Sequence, residues 1–240
     1  MTAPIERPTF FAHVRATGLL GVAVSQTEVD GLDGILDAWE REGWPADLRF
    51  VAYTMATAWH ECRLNLSIRE VGLGRGHPYG VPVAGRAYYG RGACQLTWLD
   101  NYRTFGRLLG IDLVGHPDLA LVPETSAAIL VVGARDGLFR AGRTLARSFN
   151  ERVDDPVGAR GIINGDVARN GATVAGYHRV FAACLRTAML PGGTPALVGE
   201  AVAEPPPSST ATRPAAPRPK NPKPGLWATW IAPLLAKKDA

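Results

Sequence analysis

Along most of the chain the hydrophobic positions recur at helical spacing. In VDGLDGILDAWERE, Val29, Leu32, Leu36 and Trp39 share one face, and Ser25 with Glu28 ahead of them has the spacing of a capping box. This predicts a helix over about 27–42. After Gly43-Trp44-Pro45, Asp47 can cap a second helix, in which Leu48, Val51, Ala52, Met55 and Trp59 repeat at i, i+3, i+4, i+7 and i+11. So apolar a helix should be buried, and it should end near Glu61. Thr97 and Asp100 resemble another N-terminal cap, for a helix at 98–109, and helical patterns return at 123–138, 142–151 and 170–188. Between 72 and 92 the periodicity breaks: seven glycines, two prolines and the paired Tyr88-Tyr89 suit a long irregular loop or a small hairpin. The fold class is therefore mainly α, without internal repeats.

Composition divides the chain. Its 240 residues suffice for one sizeable domain with an appendage, and 11 of the 19 prolines lie at or after Pro191. The stretch AEPPPSSTATRPAAPRPKNPKP (203–224) holds too few large apolar side chains to offset the entropy of ordering it. The expected organisation is a domain over 1–190, a disordered Pro-rich linker over 191–224 and a short tail over 225–240. Residues 191–240 hold six Lys/Arg against three Asp/Glu, which leaves only about +1 of the formal +4 on the domain and gives no sign of a nucleic-acid face. Cys62, Cys94 and Cys184 are odd in number and widely spaced, so they read as buried, reduced thiols rather than a zinc or redox motif.

The N-terminus lacks a basic start, a sustained apolar core and a small-residue cleavage site, and no apolar run approaches the roughly 20 residues of a membrane-spanning helix. Synthesis in the cytoplasm without a signal peptide is the expectation, with the place of action elsewhere.

Candidate chemistry starts at AWHECRLNLSIRE (58–70). His60-Glu61 has the start of a zinc-protease HExxH, but position 64 is Leu, so the second ligand is missing. No other cofactor motif is present. A glutamate at a helix end is ordinarily a solvated surface group; one at the end of an apolar helix facing a Gly-rich loop would be partly desolvated, which suits a proton donor. Glu70, nine residues on, would face more water and stay ionised. Two carboxylates in unequal surroundings form the acid and base pair of glycoside hydrolysis, set roughly 6.5–9.5 Å apart in inverting enzymes. The plainer alternative, that Glu70 only pairs with Arg69 or Arg75, stays open on spacing alone. In YYGRGACQLTWLDNY (88–102), aromatic faces, close-approach glycines and amide and hydroxyl groups alternate, as a sugar-binding cleft requires.

AWHE (58–61), IRE (68–70), YYGRGACQLTWLDNY (88–102), HPDLAL (116–121) and GARGIING (158–165), in that order, resemble glycoside hydrolase family 19, the chitinase-like, lysozyme-type family that includes phage and bacterial endolysins. The likeness spans about 45–190. It implies a two-lobed, lysozyme-like helical domain with a cleft between lobes and at most a small β-hairpin. It also implies Glu61 as general acid, Glu70 as general base or transition-state stabiliser, and Thr97 as the residue that helps hold the attacking water. Gln95, Tyr102 and Asn164 would line the cleft with His60 and Tyr89, and Arg160 would tune its charge. The segment between the two glutamates is shorter than in plant members and the paired cysteines of secreted members are absent, which suits the compact endolysin-like branch.

In GLWATWIAPLLAKKDA (225–240), Trp227, Trp230, Ile231, Leu234 and Leu235 form an apolar stripe ahead of Lys237-Lys238, interrupted by Pro233. Peripheral contact with an anionic membrane is one reading, and docking on the domain or a partner, or disorder, is the other. The expected protein is a monomeric, cofactor-free hydrolase of peptidoglycan glycan strands, released to act on the cell wall. A chitinase acting on N-acetylglucosamine polymers and a non-catalytic wall-saccharide-binding domain are the alternatives.

Overall fold

In a computed structural model, residues 5–189 are described, and they hold seven α-helices and isolated β-bridges, with no sheet among them. The expected linker and the 225–240 tail lie outside the described residues. No helix among the described residues is long and apolar enough to cross a membrane.

The helices are α1 (Arg7–Ala16), α2 (Gln26–Arg41), α3 (Leu48–Cys62), α4 (Leu99–Leu109), α5 (Pro123–Asp136), α6 (Leu145–Ser148) and α7 (Val167–Thr187). α2 starts on the predicted capping box, with Ser25 and Glu28 satisfying each other's backbone N–H. Asp47 caps α3 by accepting from Arg49 N at 2.9 Å. α3 is the central element: from Val51 to Trp59 every residue is buried, and its main packing partner is α7. α2 lies against α5 and α1 against α7.

Three helices differ from the pattern-based expectation. α1 was not foreseen, because only Phe10 and Val14 of it are buried; its attachment to α2 is ionic, through Arg7 to Asp33, Asp37 and Glu40. α4 has Trp98 as its N-cap, with φ 69° and no side-chain cap bond, so Thr97 does not serve as the cap. The helix expected at 142–151 is reduced to α6, since Gly142 is left-handed at φ 71° and Phe149 is already extended.

α3 ends in a double reversal, Arg63 and Leu64 both being left-handed, which turns the chain from the helix end toward Glu70. The glycine-rich segment is mostly irregular, and its small hairpin is a single bridge, Val83 to Arg86, closed over Ala84 and Gly85. All six non-glycine residues with positive φ in the described chain fall between 63 and 98: Arg63, Leu64, Leu73, Ala84, Gln95 and Trp98. Such backbone costs on the order of 1 kcal/mol per residue and concentrates where geometry serves function. The ends of the body meet, with Ile5 bridged to Met189 and Glu6 N donating to Ala188 O at 2.8 Å.

Candidate active site

Glu61 stands in the last turn of α3, 19 % exposed, and accepts a hydrogen bond from Arg160 Nη1. Arg160 is 2 % exposed on the 3₁₀ turn Gly158–Ile162, 99 residues further along. It is shared: Nε donates to Asp166 Oδ1 at 2.6 Å and Nη2 to Asp166 Oδ2 at 3.2 Å. Asn170 Nδ2, one turn into α7, donates to Asp166 Oδ2 at 2.5 Å. Burial works to raise the Asp166 pKa, but the hydrogen bonds from Arg160 and Asn170 outweigh it and hold it below the usual carboxylate value. Burial likewise works against the charge on Arg160, and its hydrogen bonds to Asp166 with the attraction of Glu61 restore and strengthen it. The surroundings of Glu61 are therefore not purely apolar, as the sequence suggested, but ionic on one side. His60 packs its ring against Tyr177 of α7, and burial first and Arg160 second lower its pKa, which keeps the imidazole neutral at pH 7.

Glu70 is held from a different direction. Its Oε1 accepts from the Tyr79 hydroxyl at 2.7 Å and its Oε2 from Gly90 N at 2.8 Å, while Glu70 N donates back to Gly90 O at 2.8 Å. It makes no ion pair with Arg69 or Arg75; Arg69 instead reaches Tyr89 Oη and Asp118. Tyr79 has its pKa raised, by burial first and by Glu70 second, so its hydroxyl remains a donor. Its ring is stacked on His77 at 5.0 Å and meets the Trp98 indole edge-on at 5.5 Å. The left-handed backbone at Trp98 thus aims a side chain at the residue that orients Glu70.

Gly90 allows this arrangement. A Cβ there would lie 2.7 Å from Gln95 Oε1 and 3.2 Å from Glu70 Cβ, so only hydrogen fits between the two side chains. Gln95, itself left-handed at φ 51°, donates from Nε2 to Gly92 O at 3.2 Å. Its neighbour Cys94 lies within electrostatic range of Glu61 and Cys62. The 90–95 turn therefore runs from Glu70 to the end of α3.

The other expected site residues are placed unevenly. Thr97 is buried, and its carbonyl accepts from Asn101 Nδ2 at 2.8 Å. Asn164 is half-buried with its side-chain oxygen enclosed, on the loop joining Arg160 to Asp166. Tyr102 is fully buried rather than lining a cleft; its hydroxyl donates to Tyr89 O at 2.7 Å and accepts from Arg91 at 2.9 Å. Tyr89, 8 % exposed, is backed by the Arg91 guanidinium 3.6 Å above its ring. These two tyrosines and Arg91 form the support behind the 88–96 turn. Asp166, Tyr79 and Gly90 were missed by the sequence reading. The Arg160/Asp166/Asn170 spacing, which stacks three polar residues at a helix start, was the available signal for the first.

The helical body thus holds two separately positioned carboxylates on either side of a strained, glycine-rich turn, the pair of groups that glycoside hydrolysis employs. Residues 77–131 match the family 19 glycoside hydrolase profile, described as chitinase class I. Over 32 residues the chain is 62% identical to Chitinase 8 of Oryza sativa subsp. japonica, covering 13% of this chain and 12% of that protein. Over 35 residues it is 54% identical to Inactive chitinase-like protein 1 of Hevea brasiliensis, covering 15% and 11%. The chain thus spans about an eighth or less of the length of these curated relatives in the part that matches. The structure resembles that of chitinase C from Streptomyces griseus HUT6037 with a TM-score of 0.52 and 20% identity, over 80% of this chain and 98% of that one, which is a likeness of fold. The sequence likeness to family 19 thus lies in residues 77–131, and the likeness of fold to a bacterial chitinase extends over most of the chain. Glu61, Glu70, Arg160 and Asp166 all lie outside the profile-matched segment, which contains Tyr79, Gly90, Gln95 and Thr97.

Proposed function

We propose that this protein hydrolyses β-linked glycans built on N-acetylglucosamine, chitin-type chains being the first substrate class, with Glu61 as general acid and Glu70 as general base. The observation that carries the reading is the pair of independent carboxylate holders, Arg160 for Glu61 and Tyr79 with Gly90 for Glu70, at the two ends of one short turn. The names of the matched relatives support chitin-type chains ahead of the peptidoglycan expected from the sequence. One of those names is of an inactive protein, so the segment shared with it does not by itself carry turnover.

Of the two carboxyl groups on Arg160, Asp166 engages two guanidinium nitrogens and Glu61 one. In the role of general acid, Glu61 donates a proton to the glycosidic oxygen as the bond breaks. Each oxygen of Glu70 accepts one protein hydrogen bond and retains a lone pair, which lets the carboxylate take the proton of a water attacking the anomeric carbon, with Thr97 as a second contact for that water. An acid and a separate base acting on opposite faces of the sugar give inversion.

The test is hydrolysis of N-acetylglucosamine hexamer, read by mass spectrometry and by the anomer first released. Wild type should yield shorter oligomers with α configuration, and Glu61→Gln should lose at least about 10²-fold in kcat. Full activity in Glu61→Gln, or no cleavage by a folded wild type, would reject the proposal.

A further inference from the structure

The glycine-rich segment that orients Glu70 also carries an exposed lobe. Among residues 71–86 only Gly74 and Tyr79 are buried, and they anchor it. A Cβ on Gly80 would stand 2.0 Å from Gly74 O, and one on Gly74 would stand 3.0 Å from Tyr89 Cβ. The limbs 71–74 and 80–83 therefore run against each other at the glycines, and what they leave outside is aliphatic. Val71 is 91 % exposed and Val81 63 %, with Leu73 and Val83 at half or more. Four of the nine large apolar side chains exposed among the described residues are thus gathered between 71 and 83. Leu73 stands at φ 54°, a left-handed conformation that local preference does not favour for leucine. Exposed apolar residues scattered singly need no explanation, but a cluster of them marks a contact surface.

The charge around the cluster selects what it contacts. From 71 to 99 the chain holds no Asp or Glu. Arg75 makes no ion pair among the described residues, and Arg86 donates to main-chain oxygens, Gly115 O at 2.6 Å and Ala84 O at 3.3 Å, so neither charge is cancelled by a partner. Asp118, near the root of the lobe, is offset by Arg69 and Arg91. A second copy seated face to face would bring Arg75 and Arg86 against their own counterparts. The 225–240 segment is itself basic, with two lysines against one aspartate. A neutral glycan gains nothing from the arginines and is held by aromatic faces, whereas the one aromatic ring of Phe, Tyr or Trp between 71 and 86, Tyr79, is buried. An anionic bilayer takes both features, aliphatic side chains at its acyl boundary and guanidinium groups at its phosphates.

We propose that the 71–86 lobe is a membrane-docking surface, which seats Val71, Leu73, Val81 and Val83 at the acyl boundary of an anionic bilayer with Arg75 and Arg86 on the headgroup phosphates. The lobe starts at the residue after Glu70, so docking brings the carboxylate pair to the membrane surface. Docking requires no hydrolysis, and it stands or falls apart from the glycosidase reading.

The test is co-sedimentation of the full-length protein with vesicles of mixed phosphatidylglycerol and phosphatidylcholine, against vesicles of phosphatidylcholine alone. Wild type should bind the anionic vesicles at least about tenfold more tightly, an advantage that shrinks as salt is raised. Val81→Glu/Val83→Glu should lower that binding at least about tenfold, with thermal unfolding and hexamer hydrolysis in the absence of vesicles unchanged. Should the glutamates perturb the fold, Val81→Ser/Val83→Ser removes the apolar surface alone and should give a smaller loss in the same direction. Trp227→Ser/Trp230→Ser in the full-length chain separates the lobe from the tail. Binding lost in the tryptophan variant but unchanged in the valine variants assigns the membrane contact to the tail and overturns the proposal, as does a wild type that binds neither vesicle. A raised KM on the hexamer in the valine variants, with vesicle binding unchanged, gives the lobe to the glycan instead. A wild-type dimer in sedimentation velocity that these variants dissolve, with no vesicle binding, gives it to a second copy.

Discussion

Tyr79 donates its hydroxyl to Glu70 Oε1 at 2.7 Å, and the ring that carries the hydroxyl is fixed between His77 and Trp98. The proposed base is thus oriented by a side chain nine residues away, in the middle of the glycine-rich segment. Tyr79→Phe keeps the ring and its packing but removes one of the two donors to the carboxylate. A hydrogen bond to a charged group contributes about 1.5–3 kcal/mol, so kcat on the hexamer should fall at least about tenfold. Thermal unfolding should move by only a few degrees, and a large loss of stability with unchanged kcat would show that Tyr79 acts on the fold alone.

Gly90 offers a sharper version of the same question. Alanine there would bring Cβ to 2.7 Å from Gln95 Oε1 and 3.2 Å from Glu70 Cβ. The flexible Gln95 amide can yield, and Glu70, tied to Gly90 by one backbone hydrogen bond and one side-chain bond, cannot yield as easily. Gly90→Ala is expected to cost about 1–3 kcal/mol of stability by denaturant titration. It should also abolish most turnover, and Gln95→Ala in the same chain should recover part of both.

Arg160→Lys tests the shared cation. An ammonium group reaches one carboxylate well, whereas the guanidinium holds Asp166 through Nε and Nη2 and Glu61 through Nη1. One of the two acids would be left without its partner in a half-buried setting. The expected cost is roughly 2–4 kcal/mol, with kcat down by at least about 10²-fold and the alkaline limb of the pH–rate profile, which reports the general acid, displaced. Asp166→Asn should displace that limb too, because Arg160 then turns wholly to Glu61.

His178, on α7, is 4 % exposed between Tyr53 and Phe149, with rings 5.7 and 5.0 Å away. Burial lowers its pKa from 6.5 to about 4; Asp154 acts to raise it, and Arg49, Arg179 and Arg186 act to lower it further. The folded value lies below the unfolded one, so the unfolded chain binds the extra proton between these limits. The stabilisation from the neutral ring is complete above about pH 6.5, is lost as pH falls from there toward 4, and changes no further below. The span is on the order of 3 kcal/mol. Urea unfolding at pH 7, 5.5 and 4 should show that slope in the wild type and a shallower one in His178→Phe; equal slopes would assign the acid sensitivity to the carboxylates.

α2 and α3 were legible because each carries its own start signal and a sustained apolar period; Ser25, Glu28 and Asp47 all act as their positions predict. α1 was not, since its hold on α2 comes from Arg7 pairing across 26 to 33 positions, which no local pattern records. The same distinction governs the site. The Glu61 and Glu70 positions could be picked from a short string, whereas the groups that hold them depend on chain reversals. Arg160 meets Glu61 only after α7 has been laid on α3, and Gly90 meets Glu70 only after the 63–98 segment has folded back. The tryptophan at the start of α4 was hidden for a different reason, because a positive φ at a large side chain runs against its intrinsic preference and is imposed by the Tyr79 contact and the turn before it.

The bridge between Ile5 and Met189 makes the described body, in topological terms, a nearly closed ring. A ring can be opened elsewhere. A permutant joined from 189 to 5 by a few glycines and opened beside the exposed Val22 would break neither the α3–α7 packing nor the 63–98 turn, and the same adjacency lets the body be spliced whole into a surface loop of another protein.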